Sequence, residues 1–239
     1  MQFSEVLRDR HSVRDFSAQA VSDEQIESLL SQALRSPSWS NTQPYRIAVA
    51  RGAVRDRLAL AYSQKFERAT RLQGRPRWQQ LLMGAALGCL PDGDFKPVLN
   101  YPPELHERRV ATGHGLYRLL GIERRDMAAR NQQMARNYAF FGAPVVMFVC
   151  VHEGLGAYSV LDAGILLQSL MLAAKDQGLD SCAQGALAMW RSPLDKEFEI
   201  PSAYKLICGL SLGYASDAVI NQFDPGRRPL QEFLIPAKS

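Results

Sequence analysis

The sequence has few cysteines, no closely spaced cysteine pair and no uninterrupted apolar run that would cross a bilayer. Its four cysteines are scattered without a C-x-x-C motif, and three lie inside apolar stretches, where a free thiol behaves as a small hydrophobic side chain. This pattern suits a reducing compartment. No run reaches the roughly 18 to 20 apolar residues of a membrane span. The chain starts with a charged amphipathic segment instead of the apolar core of a signal peptide. We therefore expect a cytoplasmic protein without membrane association.

The charge is only weakly biased towards one sign. The formal net charge is +4 and 22% of the residues are charged, which does not demand a nucleic-acid partner. A basic run at residues 65–77 (KFERATRLQGRPR) could follow a phosphate backbone, but no aromatic ladder accompanies it. A charge run of this kind is usually a solvated helix face, so we expect no nucleic-acid binding.

Several familiar catalytic motifs are missing or incomplete. Residues 209–213 (GLSLG) satisfy G-x-S-x-G, but a turn follows them in place of a helix, and no histidine comes after His152. Residues 113–115 (GHG) begin like a dinucleotide fingerprint without a preceding strand. The four histidines are too dispersed to indicate a metal site. The chemistry is therefore expected to come from something other than a side-chain triad or a metal ion.

Hydrophobic periodicity predicts one domain over residues 1–239, with no internal repeat or linker. Ser22 and Gln25 form a capping box that opens a helix ending before Pro37. Prolines and glycines break every regular pattern over residues 84–103, and we interpret the block 73–138 as a lid-like excursion over the site. Residues 221–239 are predicted to form an extended C-terminal arm. Further helices are predicted over 2–9, 53–72, 104–119, 123–138 and 158–177, and strands over 46–51, 143–151, 180–187 and 203–212.

The predicted helix at residues 158–177 (YSVLDAGILLQSLMLAAKDQ) is apolar almost all round. Such a helix must be covered on all sides. In a chain of 239 residues this favours a second subunit.

Two polar segments are candidates for ligand binding. Arg10 and Arg14 lie four residues apart around Ser12, in a break between two helical patterns. Guanidinium forks and a hydroxyl suit the oxygens of a phosphate, although R-x-x-x-R alone is a weak motif that is more often a solvated turn. The second candidate is residues 36–45 (SPSWSNTQPY), a proline-bounded loop too long and too rich in hydrogen-bonding side chains for a simple connector.

Five segments together resemble the nitroreductase family of FMN-dependent oxidoreductases, in its nitrobenzoate-reductase-like branch. They are RHSVRDF at 10–16, PSWSNTQPY at 37–45, GLDSCAQG at 178–185, GLSLGY at 209–214 and RRPL at 227–230. The resemblance implies an α+β fold with a central, mostly antiparallel sheet flanked by helices. It also implies an intertwined homodimer with two FMN molecules at the subunit interface, in which each C-terminal arm crosses to the partner.

The resemblance also assigns expected cofactor-binding residues. Arg10 or Ser12 would serve the FMN phosphate, and Arg14 or Arg10 could reach the ribityl chain or the N1/O2 edge of the ring. Arg227 matches the phosphate arginine of the C-terminal motif, with Arg228 as the alternative, and Pro225 stands where many relatives carry a lysine. Arg10, His11, Ser12 and Arg14 would come from one subunit, and the other subunit's loop would add Pro37, Ser38, Asn41 and Gln43. The expected set is completed by Ala183, Gln184 and Gly185 beside the flavin ring, and by Arg227.

Two of these assignments have plainer structural alternatives. Asn41 and Gln43 could simply cap the loop, and Gly185 could be a strand bulge. If Ala183–Gly185 runs beside the flavin ring, small residues are needed there because the backbone approaches closely.

The implied activity is an NAD(P)H-dependent reduction of nitroaromatics, quinones or related small aromatic acceptors by a ping-pong hydride mechanism. Bound flavin carries that chemistry, so no catalytic side chain is named. The alternatives are reductive dehalogenation or flavin breakdown on the same fold, and a non-enzymatic flavin carrier or sensor. The sequence does not distinguish NADH from NADPH.

Overall fold

The fold is built on one four-stranded antiparallel sheet. A computed structural model describes residues 2–96, 98 and 100–238. The first residue of the predicted domain, the last residue of the predicted arm and two positions of the 84–103 segment lie outside the described residues. The sheet order is β1-β2-β4-β3. The strands are β1 (Tyr45–Arg51), β2 (Val145–His152), β3 (Asp180–Gln184) and β4 (Tyr204–Gly213).

Nine α-helices surround this sheet within the described part of the chain. They are α1 (Phe3–Asp9), α2 (Asp23–Ala33), α3 (Gly52–Thr70), α4 (Arg77–Ala86), α5 (Pro103–Leu119), α6 (Met127–Ala135), α7 (Ala157–Asp176), α8 (Ser192–Asp195) and α9 (Leu230–Phe233). The predicted α+β class with an antiparallel sheet flanked by helices is confirmed.

Strand β2 lies at the centre of the sheet and is buried on both faces. Its alternating side chains serve two different cores. Met147 packs with Leu29 of α2 and Leu166 of α7 on one face. Phe148 packs with Tyr62 of α3 on the other. This two-sided burial explains why residues 145–151 read as a continuous apolar run and not as an alternating strand.

The ends of two elements show how local sequence sets the fold. Ser22 Oγ accepts a hydrogen bond from Gln25 N at 3.2 Å, and Gln25 Oε1 accepts one from Ser22 N at 3.1 Å, so the predicted capping box is confirmed. Strand β3, predicted to reach residue 187, ends earlier, at Gln184. A 3-10 helix, Gly185–Met189, follows it. Gly185 is therefore outside the strand, and the bulge interpretation was wrong.

The block 73–138 contains α4, α5 and α6. Helix α4 was not predicted, and it includes the first three residues of the stretch expected to be irregular. Part of the remaining loop is anchored: the carboxylate of Asp92 accepts from the backbone N–H of Arg191 at 2.6 Å, and that of Asp94 accepts from the Leu206 N–H at 2.7 Å. Between them, a Cβ added to Gly93 would lie 2.0 Å from the Ala188 oxygen, so only glycine fits there. The role of this block as a lid stays a prediction.

Helix α7 is long and apolar enough to span a membrane by length and composition alone, although its sequence contains no uninterrupted apolar run of that length. Leu166 and Leu170 on one of its faces are buried against α2 and the sheet. Its other face remains exposed, and Leu161 is 57% exposed.

The G-x-S-x-G match lies inside strand β4. Ser211 is fully buried, and its hydroxyl donates a hydrogen bond to the side-chain oxygen of Gln184. A buried serine in mid-strand is not a nucleophile elbow, so the rejection of that motif is confirmed.

Candidate cofactor site

The Arg10–Arg14 segment is fixed along the outer edge of β3. Val13 N donates to the Ser181 oxygen at 3.1 Å, and Ser12 and Ser181 form an isolated parallel bridge. The Val13 side chain is fully buried among apolar neighbours. Because neighbouring side chains alternate in an extended segment, burying Val13 turns Ser12 and Arg14 the other way. Both line one cavity.

This cavity has a volume of about 900 Å³ and is built from the two ends of the chain. It adjoins the end of α1, the Arg10–Arg14 segment, the end of α7 and the segment that follows the 3-10 helix Val219–Gln222. We call it the cradle. The residues lining it are Leu7, Arg8, Asp9, Arg10, His11, Ser12, Arg14, Lys175, Gly178, Asn221, Gln222, Phe223, Asp224, Pro225, Gly226 and Arg227.

The cradle is electrostatically positive. Arg8 is paired with Asp9 at 2.9 Å and Lys175 with Asp180 at 2.9 Å. Among the described residues, the guanidinium groups of Arg10, Arg14 and Arg227 have no carboxylate partner. Burial raises the pKa of the nearby Cys182 thiol to about 11, while the positive charges of Arg14 and Arg10 oppose that rise. The unneutralised arginines suit an anionic ligand.

Asn221 joins the two chain ends that form the cradle. Its side-chain oxygen accepts from Arg14 N at 2.8 Å, and its side-chain nitrogen donates to the backbone oxygens of Asp15 at 2.8 Å and Ser216 at 3.0 Å. Three hydrogen bonds from one amide hold Arg14 in register with the C-terminal segment. The sequence offered no signal for this role, because no local pattern distinguishes this single asparagine.

Asp15 supports the same junction. Burial alone would raise its pKa, but hydrogen bonds from Ser216 and Arg136 and the charge of Arg136 outweigh burial and lower the pKa below its ordinary value. The carboxylate is therefore stable in its charged form beside the cradle.

Two further cradle residues were missed by sequence reasoning. Phe223 lies under Arg14, with the guanidinium carbon 5.9 Å from the ring centroid. Lys175, on α7, places an ammonium group in the cavity, whereas Pro225, which also lines it, carries no charge. Lys175 was hidden because it is distant in sequence from both ends of the chain.

The positions of Arg227 and Arg228 favour Arg227 as the candidate phosphate ligand. Arg227 lines the cradle, and one of its guanidinium nitrogens donates to the Gly226 oxygen at 2.8 Å. Arg228 is exposed and does not line it.

The predicted ring-side residues Ala183, Gln184 and Gly185 lie at the far end of β3. The Gln184 side chain points into the protein, donating to the Asn137 oxygen at 2.8 Å, so only its backbone could serve a ligand. Since the Ser181 oxygen points outward to Val13, strand alternation turns the N–H of Ala183 outward as well. Ala183 and Gly185 are exposed, and a Cβ added to Gly185 would meet no described atom within 4 Å.

The 36–44 loop does not line the cradle of its own chain. It is tied to α7, where the buried Asp162 carboxylate accepts from Trp39 N at 3.0 Å. Within the loop, Gln43 N donates to Ser38 Oγ at 2.9 Å, and the Gln43 side-chain nitrogen donates to Asn41 Oδ1 at 3.1 Å. Asn41 and Gln43 thus make the capping contacts foreseen as the alternative. One chain therefore unites Arg10, His11, Ser12, Arg14 and Arg227 but leaves Pro37, Ser38, Asn41 and Gln43 apart.

The loop backbone is nevertheless unusual. Ser40, Asn41 and Gln43 have φ values of 49°, 56° and 47°. Side-chain-bearing residues in this left-handed region cost about 1 to 3 kcal/mol each and cluster at functional sites.

Comparisons with known proteins identify the relatives of this chain. The sequence profile of the Nitroreductase family matches residues 7–214. Chloronitrobenzene nitroreductase of Comamonas testosteroni is 32% identical, with 96% of this chain and 94% of the relative covered. The 4-nitrobenzoate reductase of Pseudomonas putida is 31% identical over 97% of this chain and 93% of the relative.

A solved structure supports the same family. The FMN-dependent nitroreductase NfnB from Mycobacterium smegmatis, crystallised in complex with NADPH, superposes with a TM-score of 0.82 and 30% identity over 99% of both chains. The chain belongs to the nitroreductase family.

Proposed function

We propose that this protein is an FMN-dependent NAD(P)H oxidoreductase that reduces nitroaromatic compounds, quinones or related small aromatic acceptors. The observation that carries the proposal is the cradle, where Arg10, Arg14 and Arg227 from opposite ends of the chain line one cavity without carboxylate partners. The family and the relatives named as nitroreductases support the same activity.

The cradle fits the phosphate end of FMN. A phosphate monoester carries roughly 1.5 to 2 negative charges near neutral pH, which the three unpaired guanidinium groups would balance. Arg10 and Arg227 would hold the phosphate with help from the Ser12 hydroxyl. Lys175 would add an ammonium contact, which Pro225 cannot make in the place where many relatives carry a lysine. His11 lines the same wall, and its Nδ1 lies 3.0 Å from the Asp9 oxygen.

The exposed edge at Ala183–Gly185 fits the flavin ring. The outward N–H of Ala183 and the uncovered Gly185 backbone would donate to it, and the free space over Gly185 admits a close approach. When bound, FMN supplies the hydride chemistry, accepting from the nicotinamide and delivering to the acceptor in turn. The protein's share is to bind, orient and electrostatically favour the cofactor. No side chain is assigned as an acid or base.

The ring side would be completed by a second copy of the chain. The 36–44 loop carries the remaining expected contacts, Pro37, Ser38, Asn41 and Gln43, but lies away from its own cradle. Exposed apolar surface supports a homodimer: Leu161 on α7 is 57% exposed, Phe233 on α9 is 76% exposed and Ile235 beyond it is 95% exposed. In this proposal the arm crosses to the partner and each FMN lies between subunits. We also propose a cytoplasmic location, consistent with four free, buried cysteines.

The acceptor pocket would be aromatic. Tyr138, Phe140 and Phe141 are buried core residues and would not line it. Trp39, Trp78 and Tyr101 stay exposed. Trp39 and Tyr158 have ring centroids 4.3 Å apart with their planes tilted by 36°, and this aromatic pair would lie next to the shared site.

The test is spectroscopic. Purified protein is expected to be yellow, to bleach under anaerobic NADPH or NADH, and to regain its colour when a nitroaromatic is added. Protein that stays colourless with added FMN would contradict the proposal. Colour without bleaching would identify a flavin carrier. Bleaching followed by turnover of halophenols or of flavin itself, but not of nitroarenes, would assign the alternative chemistries.

A further inference from the structure

The G-x-S-x-G segment of β4 has no role in the function proposed above. Its motif residues Gly209, Ser211 and Gly213 alternate along the strand and therefore lie on one face of the sheet. Gly209 is the register partner of Gln184, the last residue of β3, and Ser211 is the partner of Cys182. The motif thus lies beside the end of β3 that carries the proposed ring-side residues.

The Gln184 side chain is buried at this end of β3, and both polar atoms of its amide are paired. It is 3% exposed. Its oxygen accepts a hydrogen bond from the Ser211 hydroxyl, and its nitrogen donates to the Asn137 oxygen at 2.8 Å. The Asn137 oxygen also accepts from Phe140 N at 3.1 Å. One side chain therefore joins β3 and β4 to the segment between α6 and β2.

This polar network lies next to an apolar core that contains Tyr138, Leu187 and Trp190. An apolar side chain would be buried there without the need for hydrogen-bond partners. A buried amide with both atoms paired is more demanding, because its partners must lie in defined directions. The network therefore fixes the position of Gln184 more narrowly than apolar packing would.

Gly209 allows the next element to pack closely against β4. An added Cβ at Gly209 would overlap Leu187 Cδ1 and would lie 3.3 Å from Leu187 Cβ. Leu187 is fully buried and belongs to the 3-10 helix that begins at Gly185. The chain is thus held on both sides of this turn, by the amide of Gln184 before it and by the packing of Leu187 after it.

The two proposed ring-side donors flank Gln184 in the sequence. Ala183 and Gly185 are exposed, whereas the residue between them is anchored in the interior. Because the backbone is continuous through these three residues, a displacement of Gln184 would move the N–H groups of both neighbours. The interior network and the exposed edge therefore form one mechanical unit.

We propose that Gln184 and Ser211 are positioning residues for the flavin ring, and that the G-x-S-x-G motif is the scaffold of the ring-side edge. Reduction of a flavin builds negative charge on its ring, and N–H donors that are already aligned stabilise this charge more than they stabilise the neutral ring. The network therefore raises the reduction potential of the bound flavin. This inference rests on the proposed function.

The test measures the reduction potential of FMN-loaded variants. Ser211→Ala removes the hydroxyl donor, and Gln184→Met replaces the amide by an unbranched apolar side chain. In each variant the affinity for reduced FMN, relative to oxidised FMN, should fall about tenfold, which lowers the midpoint potential of a two-electron couple by about 30 mV. The control is Ser159→Ala, which removes another fully buried serine hydroxyl, one that donates to the His152 oxygen, and should leave the potential unchanged.

Amide hydrogen exchange gives a second readout that does not depend on turnover. In the FMN-loaded variants, exchange at Ala183 and Gly185 should be faster than in wild type, while exchange in β1 stays the same. If Gln184→Met does not fold, Ser211→Ala alone decides.

An unchanged potential in folded, FMN-loaded Ser211→Ala would overturn the inference, and so would an equal shift in Ser159→Ala. In both cases a yellow wild-type protein that reduces nitroaromatics leaves the proposed function intact. A wild-type protein that stays colourless with added FMN removes the function and this inference together.

Discussion

The phosphate side and the ring side of the candidate site differ in how much of each a single chain builds. The phosphate side is closed by one chain, with Asn221 linking its N-terminal and C-terminal walls through three hydrogen bonds. On the ring side the edge at Ala183 and Gly185 is exposed, and the strained 36–44 loop lies elsewhere. A single chain therefore supplies the cationic groups that would hold an anionic ligand, whereas the proposed ring side needs a second copy of the chain.

The largest effect is expected from breaking the ring side by preventing assembly. Leu161→Glu places a charge on the exposed face of α7, which should dissociate the proposed dimer and weaken FMN binding more than a hundredfold, because burying an unpaired charge costs several kcal/mol. Analytical ultracentrifugation and flavin titration measure both effects. Leu60→Glu, at an equally exposed leucine on α3, is the control and should stay dimeric. A Leu161→Glu protein that remains a flavin-loaded dimer would refute the assigned interface.

The next effect is on the phosphate side. Arg10→Ala should weaken FMN binding by about 1.5 to 3 kcal/mol, the range for hydrogen bonds to charged groups, without changing the oligomeric state. Arg10→Lys should fall between wild type and alanine, because it keeps the charge but loses the planar fork. Fluorescence titration of apoprotein with FMN measures the loss. Equal affinities in all three proteins would remove Arg10 from the site.

A smaller effect separates the two adjacent arginines. Arg227→Ala should cost about 1 to 1.5 kcal/mol of FMN affinity, at the low end because Arg227 is exposed and its charge is screened by solvent. Arg228→Ala should leave the affinity unchanged. Dialysis followed by absorbance reports the retained flavin. The reverse ranking would show that the other arginine holds the phosphate.

The smallest effect concerns the support of the cradle. The folded-state pKa of Asp15 is lowered, so its contribution to stability is present above the ordinary carboxyl pKa and is lost as the pH falls through the lowered folded value. Asp15→Asn should therefore reduce the free energy of unfolding by about 1 kcal/mol near neutral pH, and the two proteins should converge in acid. Urea unfolding at several pH values measures this, with the exposed Asp217→Asn as control. A difference that grows in acid would contradict the assignment.

Sequence reasoning recovered the parts of the fold that rest on local patterns. The capping box at Ser22, the buried run of β2 and the apolar helix α7 each carry their signal in neighbouring residues, and all three are found close to their predicted positions. Strand β3 was predicted three residues too long, because the apolar pattern continues into the 3-10 helix Gly185–Met189. Helix α4 was missed because its sequence joins a glycine-rich and proline-rich stretch.

The sequence motifs and the geometry of the candidate site coincide only in part. Arg10, Ser12, Arg14 and Arg227 were expected from short motifs, and they line one cavity. Lys175, Asn221 and Phe223 reach it only through tertiary packing, so no local pattern marks them. The loop residues Asn41 and Gln43 remain predictions, because their proposed role lies in a partner subunit.

The most direct test of the shared site is complementation between two impaired chains. Arg10→Ala impairs the cradle, and the loop variant Asn41→Ala/Gln43→Ala impairs the ring side. If each flavin lies between subunits, a heterodimer of the two variants contains one fully intact site and one doubly impaired site. Flavin titration of the purified heterodimer should therefore reveal one molecule bound per dimer with wild-type affinity. Two weakened sites with no recovery of wild-type binding would show that each chain builds its site alone.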